Sequence, residues 1–232
     1  METSLHRDLK KLYAGDDAQV EVRLGAFRID AVSGSQLVEI QHGSLAAIRD
    51  KIRDLLSVHR VRVVKPIVVS KLLVKRGRRG GRVVERRRSP KRGTLLDLFG
   101  ELVYFTRVFP HPNLTLEALL VDVEEERHPG HGRRRRWRKS DHVVADQRLV
   151  EVHGSLELRV AADLRLLAPC ELPATFDTGH LAAGLDVHRS VAQRIAYCYR
   201  LMGTARQVGK RGNAVQYEFT ETPRPARKRR VA

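Results

Sequence analysis

The sequence predicts a mixed α/β (α+β) fold, a sheet flanked by helices, and three observations carry the prediction. Two strand-like runs flank the turn-forming Ser33-Gly34-Ser35, a hairpin composition. Leu45, Ile48, Ile52 and Leu55 then form an apolar stripe at helical spacing. Residues 61–69 follow, rich in β-branched side chains, as a buried strand is. A strand, a helix and a strand in this order make a right-handed crossover with parallel pairing.

The elements follow in order. Leu5, Leu9 and Leu12 recur at helical spacing, so 4–13 read as a short amphipathic helix, ended by Gly15-Asp16-Asp17. Val20, Val22 and Leu24 alternate with Glu21 and Arg23, which marks a strand. Strands over 27–32 and 36–41 come next. Ser44 caps a helix to about residue 58. Asp30 lies near the end of one hairpin strand. In the other, Glu39 and Gln41 share a face while Val38 and Ile40 share the opposite one. Folding at Gly34 brings Asp30 beside Glu39. Adjacent carboxylates repel, and a divalent cation relieves the repulsion. That outlines a metal site for phosphodiester hydrolysis. The plain alternative is a solvated hairpin face with one Asp and one Glu. Against it stands the carboxylate inside the apolar run L-V-E-I-Q.

Composition narrows the partner. The 232 residues suffice for one large domain or two small ones, and 42% hydrophobic content supports a core. Lys and Arg number 44 against 27 Asp and Glu, a formal net charge of +17, so a polyanion is expected and nucleic acid leads. No apolar run approaches the roughly 18 residues that span a bilayer. The polar N-terminus M-E-T-S-L-H-R-D-L-K-K-L is unlike a signal peptide. Cys170 and Cys198 suit a reducing cytoplasm; they could pair, but two buried thiols is the plainer reading, and a cytoplasmic, nucleoid-associated location is expected.

The order helix, strand, strand with Asp30, strand with Glu39-Ile40-Gln41, helix, strand resembles the PD-(D/E)xK (restriction-endonuclease-like) nuclease superfamily. The resemblance implies a restriction-endonuclease-like mixed sheet over 1–74 with a Mg²⁺ or Mn²⁺ site. Asp30 and Glu39 would be the metal-binding pair, with the Ile40 carbonyl as a further ligand. Gln41 stands where the superfamily's usual Lys stands, although some restriction enzymes and competence-related nucleases also read E-x-Q. Gln41 cannot take a proton, so it would orient water. Glu21 is a further candidate acid. Lys51 matches a lysine displaced to the following helix, and Arg49 is an alternative phosphate clamp there. Either cation would offset charge that builds in the transition state.

Residues 75–154 read as a basic middle region. The Arg/Gly-dense stretch 76–92 is expected to be a linker that touches backbone phosphates. Thr94 begins a helix to about residue 105, and 116–126 form a strand that turns acidic at Glu124-Glu125-Glu126. The run R-R-R-R-W-R-K over 133–139 would oppose that acidic end in a charged hairpin, with Trp137 stacked on its own arginines or on a base. His128 and His131 lack the neighbours of a metal site. The block from Ser89 to Leu120 also resembles the middle of an uncharacterised group of bacterial proteins that carry the same Asp and Glu-Ile-Gln core.

Residues 155–222 hold a helix begun by Asp177 or Thr178, then a second helix from Ser190 to about residue 202. Ala192, Ile195, Ala196 and Leu201 are expected to face inward, and Gly203 stops the helix. Strands around 205–208 and 214–219 follow, with a basic connection. This order is similar to a winged helix-turn-helix. The similarity implies that His188, Arg189, Ser190, Gln193, Arg194 and Tyr197 face duplex DNA, while Lys210 and Arg211 on the wing hold phosphate. Residues 223–232 read as a disordered basic tail.

The combined expectation is a metal-dependent DNA endonuclease held on double-stranded DNA by a winged helix, with no membrane partner. Cutting both strands would require a homodimer or a partner. Two alternatives stand: a DNA-binding regulator with a catalytically inactive nuclease-like domain, for which Gln41 argues, and RNA binding or processing, for which the Arg/Gly stretch argues.

Overall fold

A computed structural model of the chain describes residues 3–14, 19–130, 142–221 and 228–229. The architecture is α+β, a mixed sheet flanked by helices. The sheet takes in β1 (Gln19–Leu24), β2 (Phe27–Ser33), β3 (Gln36–Ile40), β4 (Arg60–Arg76), β5 (Val83–Arg88), β6 (Leu114–Pro129), β7 (His142–Leu158) and β10 (Lys228–Arg229). Its order is β1-β2-β3-β4-β6-β7-β10, with β5 paired to the far end of β4. The β3–β4 and β4–β6 pairs are parallel, as the crossover requires, and the others are antiparallel.

Alternation along the central strands gives the sheet two apolar faces. One face packs Ala31, Val38, Ile40, Val64, Leu119 and Val121 against Leu5 and Leu9 of α1 (Ser4–Ala14). The Asp146 carboxylate accepts bonds from the Ser4 amide (2.8 Å) and hydroxyl (2.6 Å), which ties the start of α1 to β7. The other face packs against α2 (Arg49–Leu55), α3 (Leu98–Leu102) and the C-terminal helices in one continuous core. Full burial of each such Leu contributes roughly 1.5–3 kcal/mol.

Pro66 explains where β3 stops. The Val64 carbonyl accepts from the Gln41 amide (2.8 Å), and the Val68 carbonyl accepts from the Gly93 amide (2.8 Å). Alternate residues of β4 therefore turn their polar groups toward that edge, and Pro66, between them, has no N–H to offer. The β3–β4 ladder ends at Ile40↔Val64. Beyond it the β4 edge is a notch, bounded on the far side by β5 at Leu72↔Arg88.

Several expectations need correction. The sheet runs across residue 74, because β4 continues to Arg76. The Arg-rich stretch is no linker: Val83 to Arg88 pair along β4 as an edge strand with every residue exposed. The helix from Ser44 is a 3-10 turn (Leu45–Ile48) followed by α2. That from Thr94 is likewise a 3-10 turn followed by the short α3. Lys228 and Arg229 of the basic tail form a short strand against β7. The charged hairpin of 133–139, Trp137 and His131 lie outside the described residues.

The C-terminal part follows the expected order. Asp177 caps α4 (Thr178–Leu185), its Oδ1 accepting from the amides of Gly179 (2.8 Å) and His180 (3.0 Å). α5 (Arg189–Met202) is capped by His188, not Ser190, and ends at Gly203 with φ of 80°. Met202 is buried, whereas Leu201 is 43% exposed and does not face inward. β8 (Ala205–Arg211) and β9 (Ala214–Phe219) form a separate ribbon. Among the described residues, no helix is long and apolar enough to cross a membrane.

Candidate functional site

The hairpin register carries Asp30 to Glu39. Ser33 pairs with Gln36, Val32 with Leu37 and Ala31 with Val38, so continuation of the register sets Asp30 opposite Glu39 at the end of β3. The ladder stops there, and the Asp30 side chain takes over: its Oδ2 accepts from the Ile40 amide at 2.8 Å. Its Oδ1 lies 3.0 Å from His6 Nε2 on α1. Lys51 reaches in from α2, with Nζ 2.7 Å from Glu39 Oε2, and also donates to the Arg28 carbonyl. Four ionisable side chains from α1, β2, β3 and α2 thus meet at one end of the hairpin.

The two carboxylates are set apart electrostatically. Burial alone would raise Asp30, but the His6 bond and the Ile40 amide outweigh it and hold that carboxyl below its ordinary value. Burial pushes Glu39 up, the Asp30 charge adds to the rise, and the Lys51 ammonium offsets only part of it.

The remaining expected residues are distributed around this pair. Gln41 leaves the sheet, and its Nε2 donates to the Ser44 carbonyl (2.7 Å), which braces the loop. Glu21 closes ion pairs with Lys10 (2.7 Å) and Arg28, so cations already engage both its oxygens. Arg49 pairs with its neighbour Asp50 at 3.4 Å on the surface of α2. Lys65, buried on β4, donates to the carbonyls of His42 (3.0 Å) and Gly43, fixing the loop that leaves Glu39. Burial holds its ammonium below the ordinary value, against Glu101.

Sequence reasoning missed His6 and Lys65. The helical spacing that buries Leu5 and Leu9 also sets His6 over the sheet, but the sequence does not say which strand lies beneath. Among the described residues, one group of three acids and histidines brings ligand atoms within 4.8 Å of one another, and it is Asp122, Glu151 and His153 on β6 and β7. His153 Nε2 lies 3.0 Å from Asp122 Oδ1, so two of the three groups already satisfy each other in part.

On α5, Ala192, Ile195, Ala196 and Tyr199 are buried, which leaves Arg189, Ser190, Gln193, Arg194 and Tyr197 on the exposed face, with His188 exposed at its cap. Lys210 and Arg211 are exposed toward the tip of the β8–β9 ribbon.

The family model described as Domain of unknown function (DUF8091) matches residues 3–159. The matched span runs from α1 to the end of β7 and so includes Asp30, Glu39 and Lys51. Among curated proteins, an uncharacterized protein of Treponema pallidum (strain Nichols) is 30% identical over 218 residues, covering 93% of this chain and 84% of that protein. No solved structure matches.

Proposed function

The chain belongs to the DUF8091 family, and we propose that it is a metal-dependent DNA endonuclease of the PD-(D/E)xK type, held on duplex DNA by a C-terminal winged helix. One observation carries the reading: the Asp30–His6 and Glu39–Lys51 pairs lie together where the β2–β3 ladder ends, close enough for the Asp30 charge to act on Glu39.

The donor set fits a hard divalent cation such as Mg²⁺ or Mn²⁺. The Asp30 and Glu39 carboxylates share one end of the hairpin, and burial together with the Asp30 charge holds the Glu39 carboxyl up, a rise that a bound cation would relieve. Asp30 and Glu39 would hold the ion, with the Ile40 carbonyl as the further ligand that the superfamily resemblance implies. Such an ion polarises a phosphate and lowers the pKa of a bound water. The chain's own groups supply the rest. His6 and the Ile40 amide orient the Asp30 carboxylate. Lys51 is placed to offset charge on the pentacoordinate phosphorus of the transition state. Lys65 and Gln41 hold the loop 41–44 in shape. Gln41 takes no proton, so the base is a second water or the phosphate itself.

The exposed face of α5 would enter the major groove, with Gln193 and Arg194 at base edges and Lys210 and Arg211 on phosphate. The +17 charge supports a polyanionic partner.

A second reading has its own support. Both oxygens of Asp30 already have partners, and Lys51 already serves Glu39 as counter-ion. A site neutralised from within suits a DNA-binding regulator that does not cut. Calorimetric titration with Mn²⁺ separates the two. The nuclease reading predicts one binding event that both Asp30→Ala and Glu39→Ala abolish. Absence of that event in the wild type, with duplex binding intact, favours the regulator.

A further inference from the structure

α3 is five residues long, yet consecutive residues of it touch both the acid pair's loop and α5. The Glu101 carboxylate accepts from the Ser44 hydroxyl (2.8 Å) and the Leu45 amide (2.9 Å), at the end of the loop that leaves Glu39's strand. Gly100 lies beneath α5, where a Cβ would be 3.4 Å from Arg194 Nη1. Phe99 meets Tyr199 edge-on, with ring centroids 5.7 Å apart, and its carbonyl receives the Cys198 thiol at 3.9 Å. Phe99, Cys198 and Tyr199 are buried in the same core as Ile52 and Leu55 of α2. A movement of α5 against the sheet would break that packing, since close-packed cores do not deform smoothly.

Gly93 seats the segment 89–94 in the notch on β4, where a Cβ would come within 2.6 Å of the Val68 carbonyl. That segment carries exposed Lys91 and Arg92 and leads through Thr94 into α3. Exposed cations thus lie on the segment that enters α3 and on α5, where the Arg194 guanidinium lies against Gly100.

We infer that α3 locks α5 to the Asp30–Glu39 site, so that one DNA duplex seated on α5 meets the site at a single fixed offset. The inference rests on the nuclease and winged-helix reading.

The test uses the full chain with Cys170→Ala and Ala46→Cys, which puts a reactive thiol on an exposed position beside the loop. Iron-EDTA tethered there cuts DNA without the acid pair. A random-sequence duplex library is cut, and the ends are sequenced. The expected result is a base preference at one constant distance from the cuts, lost when Gln193→Ala and Arg194→Ala are added. Cuts at no constant distance from preferred bases, or none above those of untethered reagent, overturn the inference. A constant offset from the tethered reagent, with no Mn²⁺-dependent cutting by the unmodified chain, sustains the fixed geometry and sinks the nuclease reading.

Discussion

Lys51 Nζ lies 2.7 Å from Glu39 Oε2, yet the Glu39 carboxyl remains above its ordinary value. One ammonium does not balance burial together with the facing Asp30. Asp30, held by His6 and the Ile40 amide, is displaced in the opposite direction. The two acids therefore make opposite contributions to stability, as two ordinary surface carboxylates would not.

Glu39→Gln is predicted to stabilise the chain at neutral pH. The folded carboxyl is raised, so the folded state holds the proton more tightly than the unfolded chain, and stability falls as pH rises through the folded value. The variant escapes that loss. A gain of about 1 kcal/mol corresponds to roughly 2–4 °C in Tm, and it closes below about pH 4, where the unfolded group is also protonated. Thermal melts from pH 3 to 8 measure it. A lower Tm for the variant at pH 8 contradicts the account.

Asp30→Asn is predicted to do the reverse. A depressed carboxyl stabilises above its unfolded value, and that contribution disappears as pH falls through the folded value. The variant should melt below the wild type at pH 7, with the gap closing below about pH 4. The same melts decide it.

How much of this was legible in the sequence follows from the type of interaction. The facing of Asp30 and Glu39 was readable because a two-residue turn at Gly34 and strict strand alternation fix the register. His6 was not, because it depends on how a helix lies across a sheet. The edge strand β5 reads as a loop, since an exposed strand needs no apolar residues and V-V-E-R-R-R carries only two. The union of α5 with the sheet was hidden for a similar reason: Phe99 and Tyr199 lie 100 residues apart, and neither forecasts the other.

Asp177→Ala is predicted to loosen the C-terminal unit. Despite burial, its amide bonds from His180 and Gly179 and the side chain of Gln216 hold the Asp177 carboxyl down to about 2. Loss of an N-cap of this kind costs roughly 1–2 kcal/mol. The wild type keeps its advantage above about pH 4, the ordinary carboxylate value, and loses it as pH falls toward 2. Acid titration followed by tyrosine fluorescence reports the difference. Coincident curves for the two proteins would show that the cap contributes nothing.

Arg194→Ala is predicted to weaken duplex binding and to reduce the slope of log affinity against log salt by about one if the side chain meets phosphate. If it reads a base instead, affinity for the preferred sequence falls, by roughly 1–3 kcal/mol, while the slope holds. Fluorescence anisotropy at several salt concentrations measures both. Unchanged affinity and slope would remove α5 from the DNA surface.

The central claim is tested most directly by incubating supercoiled plasmid with the wild type, Asp30→Ala and Glu39→Ala in Mg²⁺ or Mn²⁺. The account predicts nicked or linear product from the wild type, abolished by EDTA and absent from both variants. Intact plasmid with the wild type, while all three proteins bind the DNA equally, would contradict it.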